Sequence, residues 1–144
     1  MNRSQEEARA AGLELIQTSE GLALTDGTMR LVADFAHMIP RLKQGTLQRE
    51  LLVRAARARG VEYPVAFDAT AGFGEDSLLL AAAGYTVEMF ECNPVISALL
   101  ADALERAASD PRLSEAASHM HLHVGDSIAG MAELVAAGTV PYAV

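Results

Sequence analysis

The spacing of apolar positions along the chain divides it into an N-terminal stretch of short elements and a longer stretch of alternating strands and helices. Residues 4–11 have helical composition, with Ser4 available as a cap. Leu13-Glu14-Leu15-Ile16-Gln17 and Leu22-Ala23-Leu24-Thr25 flank the turn-like Thr18-Ser19-Glu20-Gly21, which predicts a hairpin. A third run, Leu31-Val32-Ala33-Asp34-Phe35, follows the Asp26-Gly27 turn and extends the prediction to a three-stranded meander. From Thr46 to Arg59, Leu47, Leu51, Ala55 and Ala58 recur at helical spacing and Gly60 supplies the stop.

After Pro64 the pattern becomes strand, helix, strand, helix: Val65–Ala69, Asp76–Ala83, Tyr85–Glu91 and Pro94–Ala108. Asn93-Pro94 is a cap followed by proline at the first helical position, and Ile96, Leu99, Leu100, Ala103 and Ala107 form the buried stripe. Asp110-Pro111 ends that helix. Met120–Val124 reads as a further strand, Ile128–Ala137 as a further helix, and Pro141-Tyr142-Ala143-Val144 as the start of another strand. The expected class is α/β with a parallel sheet. The expected division is 1–45, a helix and β meander, and 46–144, the parallel-sheet part.

Composition narrows the function. A chain of 144 residues, 51% of them hydrophobic, suits one ordinary core. A net charge of −8 excludes unspecific neutralisation of nucleic-acid phosphates over the whole surface, so any RNA contact must be local. One cysteine cannot form an internal disulfide, and the polar start Met1-Asn2-Arg3-Ser4-Gln5-Glu6-Glu7 is unlike a signal peptide. With no window resembling a membrane span, the expectation is a cytoplasmic protein.

The chemistry concentrates in Phe67-Asp68-Ala69-Thr70-Ala71-Gly72-Phe73-Gly74-Glu75-Asp76, a strand ending in an acid, a bend through two glycines, and a helix start. A diphosphate wants bare backbone N–H groups at such a helix start, yet Glu75 and Asp76 occupy the first turn. Two anions about 4 Å apart repel by about 4 kcal/mol at an effective dielectric of about 20, so the bend suits a ligand carrying positive charge. S-adenosyl-L-methionine, with its sulfonium and ammonium, is the common one. Glu91 closes the second strand nineteen positions after Gly72, where an acid accepts hydrogen bonds from ribose hydroxyls in Rossmann-like sheets. Asp126 and Ser127 follow the third strand, where they could meet an adenine edge, cap the next helix, or do both. All of these positions lie at carboxyl ends of strands and should share one rim.

Asp68 to Asp76, then Glu91-Cys92-Asn93-Pro94-Val95, then Ala98-Leu99-Leu100, resemble the family of small-subunit ribosomal RNA methyltransferase J. The resemblance extends more faintly from Leu13 through Ala33-Asp34-Phe35 and the basic segment to the chain end. It implies a Rossmann-like class I methyltransferase fold, incomplete at its C-terminal side, and transfer of a methyl group to the exocyclic amine of a guanine. The implied cofactor is S-adenosyl-L-methionine, and the implied partner is small-subunit ribosomal RNA or the assembling 30S subunit. It places the residues matching Glu75, Asp76, Glu91, Cys92, Asp126 and Ser127 around the cofactor, beside Asp68, Ala69, Gly72 and Gly74 of the bend. The family usually carries arginine at the positions of Glu75 and Cys92, so the charge argument from Glu75 is particular to this chain. Family members continue the strand begun at Tyr142-Ala143-Val144 into an Asp-Pro-Met-Phe/Tyr-Pro loop that resembles amine-holding loops elsewhere. The chain is therefore expected to be the cofactor-binding half, truncated before the catalytic loop, with no catalytic residue of its own to name.

Other features have competing readings. Arg41, Lys43, Arg49, Arg54, Arg57 and Arg59 hold more than half of the eleven basic residues, either as a phosphate-facing strip or as a solvated helix face. His119, His121 and His123 alternate along a strand, but nothing nearby resembles a supporting metal shell, so a packed sheet face is expected. Cys92 has no neighbouring base and reads as a lining or buried thiol. A sheet ending at its fourth strand leaves an apolar edge, which predicts self-association. Two other functions remain: a non-catalytic S-adenosylmethionine-binding module, and a dinucleotide oxidoreductase domain. The latter is disfavoured by the loop acids and by Ser77, where a third glycine or alanine is expected.

Overall fold

The computed structural model describes all 144 residues, Met1–Val144. The first helix, α1 (Arg3–Ala10), is capped by Asn2 rather than Ser4. Asn2 is extended, its side chain accepts from the Gln5 N–H at 3.0 Å, and the Gln5 side chain accepts from the Asn2 N–H at 3.1 Å. Asn2 and Gln5 thus form a capping box that starts the helix at Arg3, and Ser4 lies inside it with its hydroxyl donating to Asn2 Oδ1 at 2.6 Å.

The expected meander forms as β1 (Glu14–Thr18), β2 (Gly21–Thr25) and β3 (Arg30–Val32), antiparallel throughout, with Ile16 opposite Ala23 and Leu24 opposite Leu31. The third strand stops at Val32 instead of running to Phe35. Ala33 and Phe35 leave the meander to join the main core, and Asp34 turns the chain by accepting from the Ala36 N–H at 2.9 Å.

A 3-10 turn (Ala36–Met38) then leads into α2 (Ile39–Leu42), α3 (Gln44–Leu47) and α4 (Leu51–Ala55). The single helix expected over 46–59 does not form. The buried residues here are Leu47 and Val53, whereas Leu51, placed on the expected stripe, is 77% exposed. Six residues of α-helix turn through about 600°, leaving two such side chains about 120° apart. An extended Glu50 (ψ 130°) breaks the helix and lets both face the core.

The remaining elements follow the expected alternation closely: β4 (Val65–Asp68), α5 (Glu75–Ala82), β5 (Thr86–Glu91), α6 (Pro94–Ala108), α7 (Ser114–Ser118), β6 (Met120–Val124) and α8 (Ser127–Ala136). Only α7 is unanticipated; it is a short turn of helix that buries Ala117, next to the buried Leu113. The strands form a parallel sheet in the order β4-β5-β6, with Asp68 opposite Met89 and Glu91 opposite Val124. The expected fourth strand is present as an isolated parallel bridge between Ala66 and Ala143, with the Phe67 N–H donating to the Ala143 carbonyl at 2.8 Å.

Val87, Met89, Leu78, Leu79, Leu99 and Leu100 are all but inaccessible and form the centre of the core. Each such side chain contributes about 2 kcal/mol by burial. The meander docks on α6 through a polar clasp: Asp102 accepts from the Leu22 N–H and from Arg106 Nε, both at 2.9 Å, and Arg106 also reaches the Ala33 carbonyl. No helix is long and apolar enough to cross a membrane.

Candidate functional site

Parallel register brings the carboxyl ends of β4, β5 and β6 to one edge, so Asp68, Glu91 and Asp126 stand along the same rim. The bend between β4 and α5 is pinned to the neighbouring strand, because the Ala71 N–H donates to the Phe90 carbonyl at 2.9 Å. It closes on itself through Gly74 N–H to the Ala71 carbonyl at 2.8 Å. Gly72 (φ 56°) and Gly74 (φ 76°) are both left-handed. Gly74 is also tightly packed: a β-carbon there would lie 2.8 Å from Leu100 Cδ1 and 3.3 Å from Phe35 Cζ. At Gly72 a β-carbon would meet nothing within 4 Å, so the top of the bend is open.

Glu91 ties this bend to the next helix. One oxygen accepts from the Gly72 N–H at 3.1 Å, and the other accepts from the Asn93 N–H at 2.9 Å. Asn93 in turn caps α6 by accepting from Val95 and Ile96 N–H groups. A carboxylate offers about four acceptor positions, so roughly half of the capacity of Glu91 remains for a ligand's hydroxyls.

Asp68 is held differently. It accepts from the Ser77 hydroxyl at 2.6 Å and from the Thr70 N–H at 3.2 Å. Ser77 is wholly buried in α5, so the acid at the end of β4 is positioned from beneath by the helix that follows the bend. In the sequence Ser77 stands out only as occupying the place of a third glycine or alanine. A hydroxyl in the first turn after a strand-end acid was the available signal.

The other expected site residues fall nearby with unequal roles. Ala69 is half-buried between Asp68 and the bend. Glu75 is exposed and paired with His37 Nε2 at 3.0 Å, a partner from the 3-10 turn that sequence spacing could not reveal. Asp76 is exposed beside Asp68. Cys92 is exposed, so of the two expected readings the buried thiol is corrected: it directly follows β5. Asp126 caps α8 by accepting from the Ala129 N–H at 3.0 Å, and the half-buried Ser127 opens that helix.

Two hollows flank the rim. One, of about 430 Å³, runs past β4 and is lined by Leu52, Ala55, Ala56, Ala66 to Thr70, Asp76, Leu80, Ala143 and Val144. The other, of about 370 Å³, lies beyond β6 and includes Phe90, His123, Asp126 and Glu133. Neither includes Gly72 or Glu91, which form the open saddle between them.

The arrangement fits a ligand with a cationic centre and a ribose. The bend is open over Gly72, Glu91 keeps spare acceptor capacity, and the first turn of α5 carries two carboxylates where a phosphate would need bare N–H groups.

His121 and His123 share one sheet face and flank Glu88, at 3.2 and 2.6 Å, while the ring of His123 stacks on Phe90 at 5.0 Å. His119 lies before the strand, at the C-terminal end of α7, so the expected row of three is two. No group of three or more such side chains is placed to hold a metal ion.

Comparison with known proteins gives a consistent picture. Residues 3–143 match the family described as "Putative SAM-dependent methyltransferase". The chain is 42% identical over 132 residues to ribosomal RNA small subunit methyltransferase J of Alkalilimnicola ehrlichii, covering 87% of this chain and 49% of the relative. It is 40% identical over 115 residues to the protein of the same name from Acinetobacter baylyi, covering 80% of this chain and 42% of the relative. Among solved structures it is similar to a SAM-dependent methyltransferase from Neisseria gonorrhoeae, with a TM-score of 0.73 at 25% identity, covering 97% of this chain and 63% of that one. The chain thus spans about half the length of the curated relatives it matches.

Proposed function

The chain belongs to the SAM-dependent methyltransferase family, whose cofactor is S-adenosyl-L-methionine, and from that premise we propose that it forms the cofactor-binding part of an enzyme methylating the exocyclic amine of a guanine in small-subunit ribosomal RNA. The observation that carries this reading is Glu91, a carboxylate braced by Gly72 and Asn93 N–H groups at the end of the second parallel strand, with acceptor capacity left over. The rRNA substrate is taken from what the methyltransferase J relatives are named for.

In this reading Glu91 accepts from the ribose hydroxyls, Asp68 and Asp76 supply negative potential for the cationic end, and Asp126 and Ser127 lie toward the base. Bound there, the cofactor supplies an electrophilic methyl group on a positively charged sulfur. The amine of guanine is a weak nucleophile because its lone pair is delocalised, so transfer depends on holding it in line. No side chain on the rim is assigned to that task. The reading puts the protein in the cytoplasm with the assembling 30S subunit. It includes self-association through the edge beside Tyr142, Ala143 and Val144, which sedimentation would read as a dimer. A dinucleotide oxidoreductase is set aside by the family match, and Ser77 serves Asp68 instead of making room for a pyrophosphate.

Titration calorimetry with S-adenosylhomocysteine tests the core of the proposal. Glu91→Ala and Asp68→Ala should each weaken binding about tenfold or more, the loss of one or two charge-assisted hydrogen bonds. Unchanged affinity in both variants would overturn it. Comparing methyl incorporation into unmodified small subunits by this chain and by a longer one separates cofactor binding from turnover.

A further inference from the structure

Basic residues are scarce on this protein, and where they are unpaired is informative. Arg3, Arg41, Arg106 and Arg112 each have a carboxylate partner within 4.0 Å. Arg9, Arg30, Lys43, Arg49, Arg54, Arg57 and Arg59 have none, and three of them, Arg54, Arg57 and Arg59, line a single open hollow of about 530 Å³ with Leu51 and Ala55. Helix-dipole compensation accounts only for Arg54, which sits in the last turn of α4, because Arg57 and Arg59 lie beyond it.

The position of this hollow gives the three guanidinium groups a purpose. Ala55 lines both it and the hollow that holds Asp68 and Asp76, so the arginines border the rim directly. Tyr142 fastens the same border: its hydroxyl donates to the Arg57 carbonyl at 3.4 Å, and its ring lies 6.4 Å from that of Tyr85. Leu51, 77% exposed, offers an apolar patch beside the charges, and guanidinium planes stack on bases as well as pairing with phosphates.

We infer that Arg54, Arg57 and Arg59 form a docking site for the phosphate backbone of single-stranded RNA, holding the strand next to the cofactor rim. The identity of the polymer rests on the function proposed above; its charge and its place follow from three unpaired arginines sharing one hollow beside the rim. On a chain of net charge −8, three unpaired guanidinium groups lining one hollow concentrate attraction for an anionic polymer there.

The test is fluorescence anisotropy with a short labelled single-stranded RNA from the small subunit, run alongside the same sequence on an uncharged morpholino backbone. The triple variant R54Q/R57Q/R59Q should bind the RNA at least about tenfold more weakly at low salt. Its slope of log affinity against log salt should fall by about 2, from roughly 0.7 per lost phosphate contact. The morpholino should bind poorly to either protein. A control, R3Q/R9Q/R30Q, removes equal charge from the N-terminal region and should retain most of the affinity. Equal loss in the control, unchanged binding in the triple variant, equal affinity for the morpholino, or no RNA binding by the wild type would each overturn the inference. S-adenosylhomocysteine affinity should be unchanged in the triple variant. Failure of the wild type to bind that ligand would instead defeat the proposed function.

Discussion

The glycine bend and the arginine hollow lie side by side, yet they hold their charges in opposite ways. Asp68 is fixed by a buried hydroxyl and Glu91 by two backbone N–H groups, all within 3.1 Å. Arg54, Arg57 and Arg59 are exposed and unpaired, at the end of a five-residue helix and in the irregular stretch beyond. A small cation with a ribose has one shape, and carboxylates already oriented for it lose little entropy on binding. A polymer backbone presents many equivalent phosphates, for which long, mobile side chains are the better match. In the two proposals above, rigidity would serve the small ligand and mobility the large one.

The largest predicted effect comes from spoiling the rigid side. Gly74→Val would strain a left-handed residue and drive a side chain into Leu100 and Phe35, destabilising the fold by about 3 kcal/mol in urea unfolding. Arg54→Gln should stay within about 0.5 kcal/mol of wild type in the same assay. Equal losses at the two positions would erase the contrast.

Salt should separate the two regions next. Raising salt from about 50 to about 200 mM should weaken RNA binding roughly twentyfold for three phosphate contacts and alter S-adenosylhomocysteine affinity about twofold at most. Parallel salt curves would break the distinction.

Ser77→Ala sharpens it from within, by loosening Asp68 without touching the ligand. We expect a cost of about 1 kcal/mol in stability and a severalfold weaker cofactor affinity by calorimetry, with RNA affinity unchanged.

The smallest effect concerns Arg41, the arginine of the strip that is already paired. Its hydrogen bond holds the Glu50 carboxyl below the usual range. Because the folded value is the lower one, this stabilisation is complete above the ordinary carboxyl pKa of the unfolded chain and is lost as pH falls through the folded value. Glu50→Gln should therefore flatten the acid limb of the stability curve slightly and, by freeing Arg41, raise RNA affinity slightly. A steeper acid limb in the variant would contradict the pairing.

Much of the rim was legible before any fold was known. The alternation from Pro64 onward, the Asn93-Pro94 helix start and the acid at the end of β5 are local signals: each depends on residues a few positions apart, and each appears within a residue or two of its expected place. The stretch 46–59 departs from its expected single helix for the same reason. Its helical spacing is real, but Leu47 and Val53 compete for one core, and only the packed molecule shows that the chain breaks at Glu50 to satisfy both. His37 beside Glu75, Arg57 under Tyr142 and Asp102 against Leu22 could not be foreseen either.

The sequence by itself determined the order of strands and helices, the left-handed glycine bend and the acids at the strand ends, because backbone preference and hydrophobic period act over a single turn or pleat. The tertiary structure alone decided which acids are braced, which arginines stay free and that the two groups share a border. Those outcomes depend on contacts between residues tens of positions apart, and such contacts exist only once the core has closed.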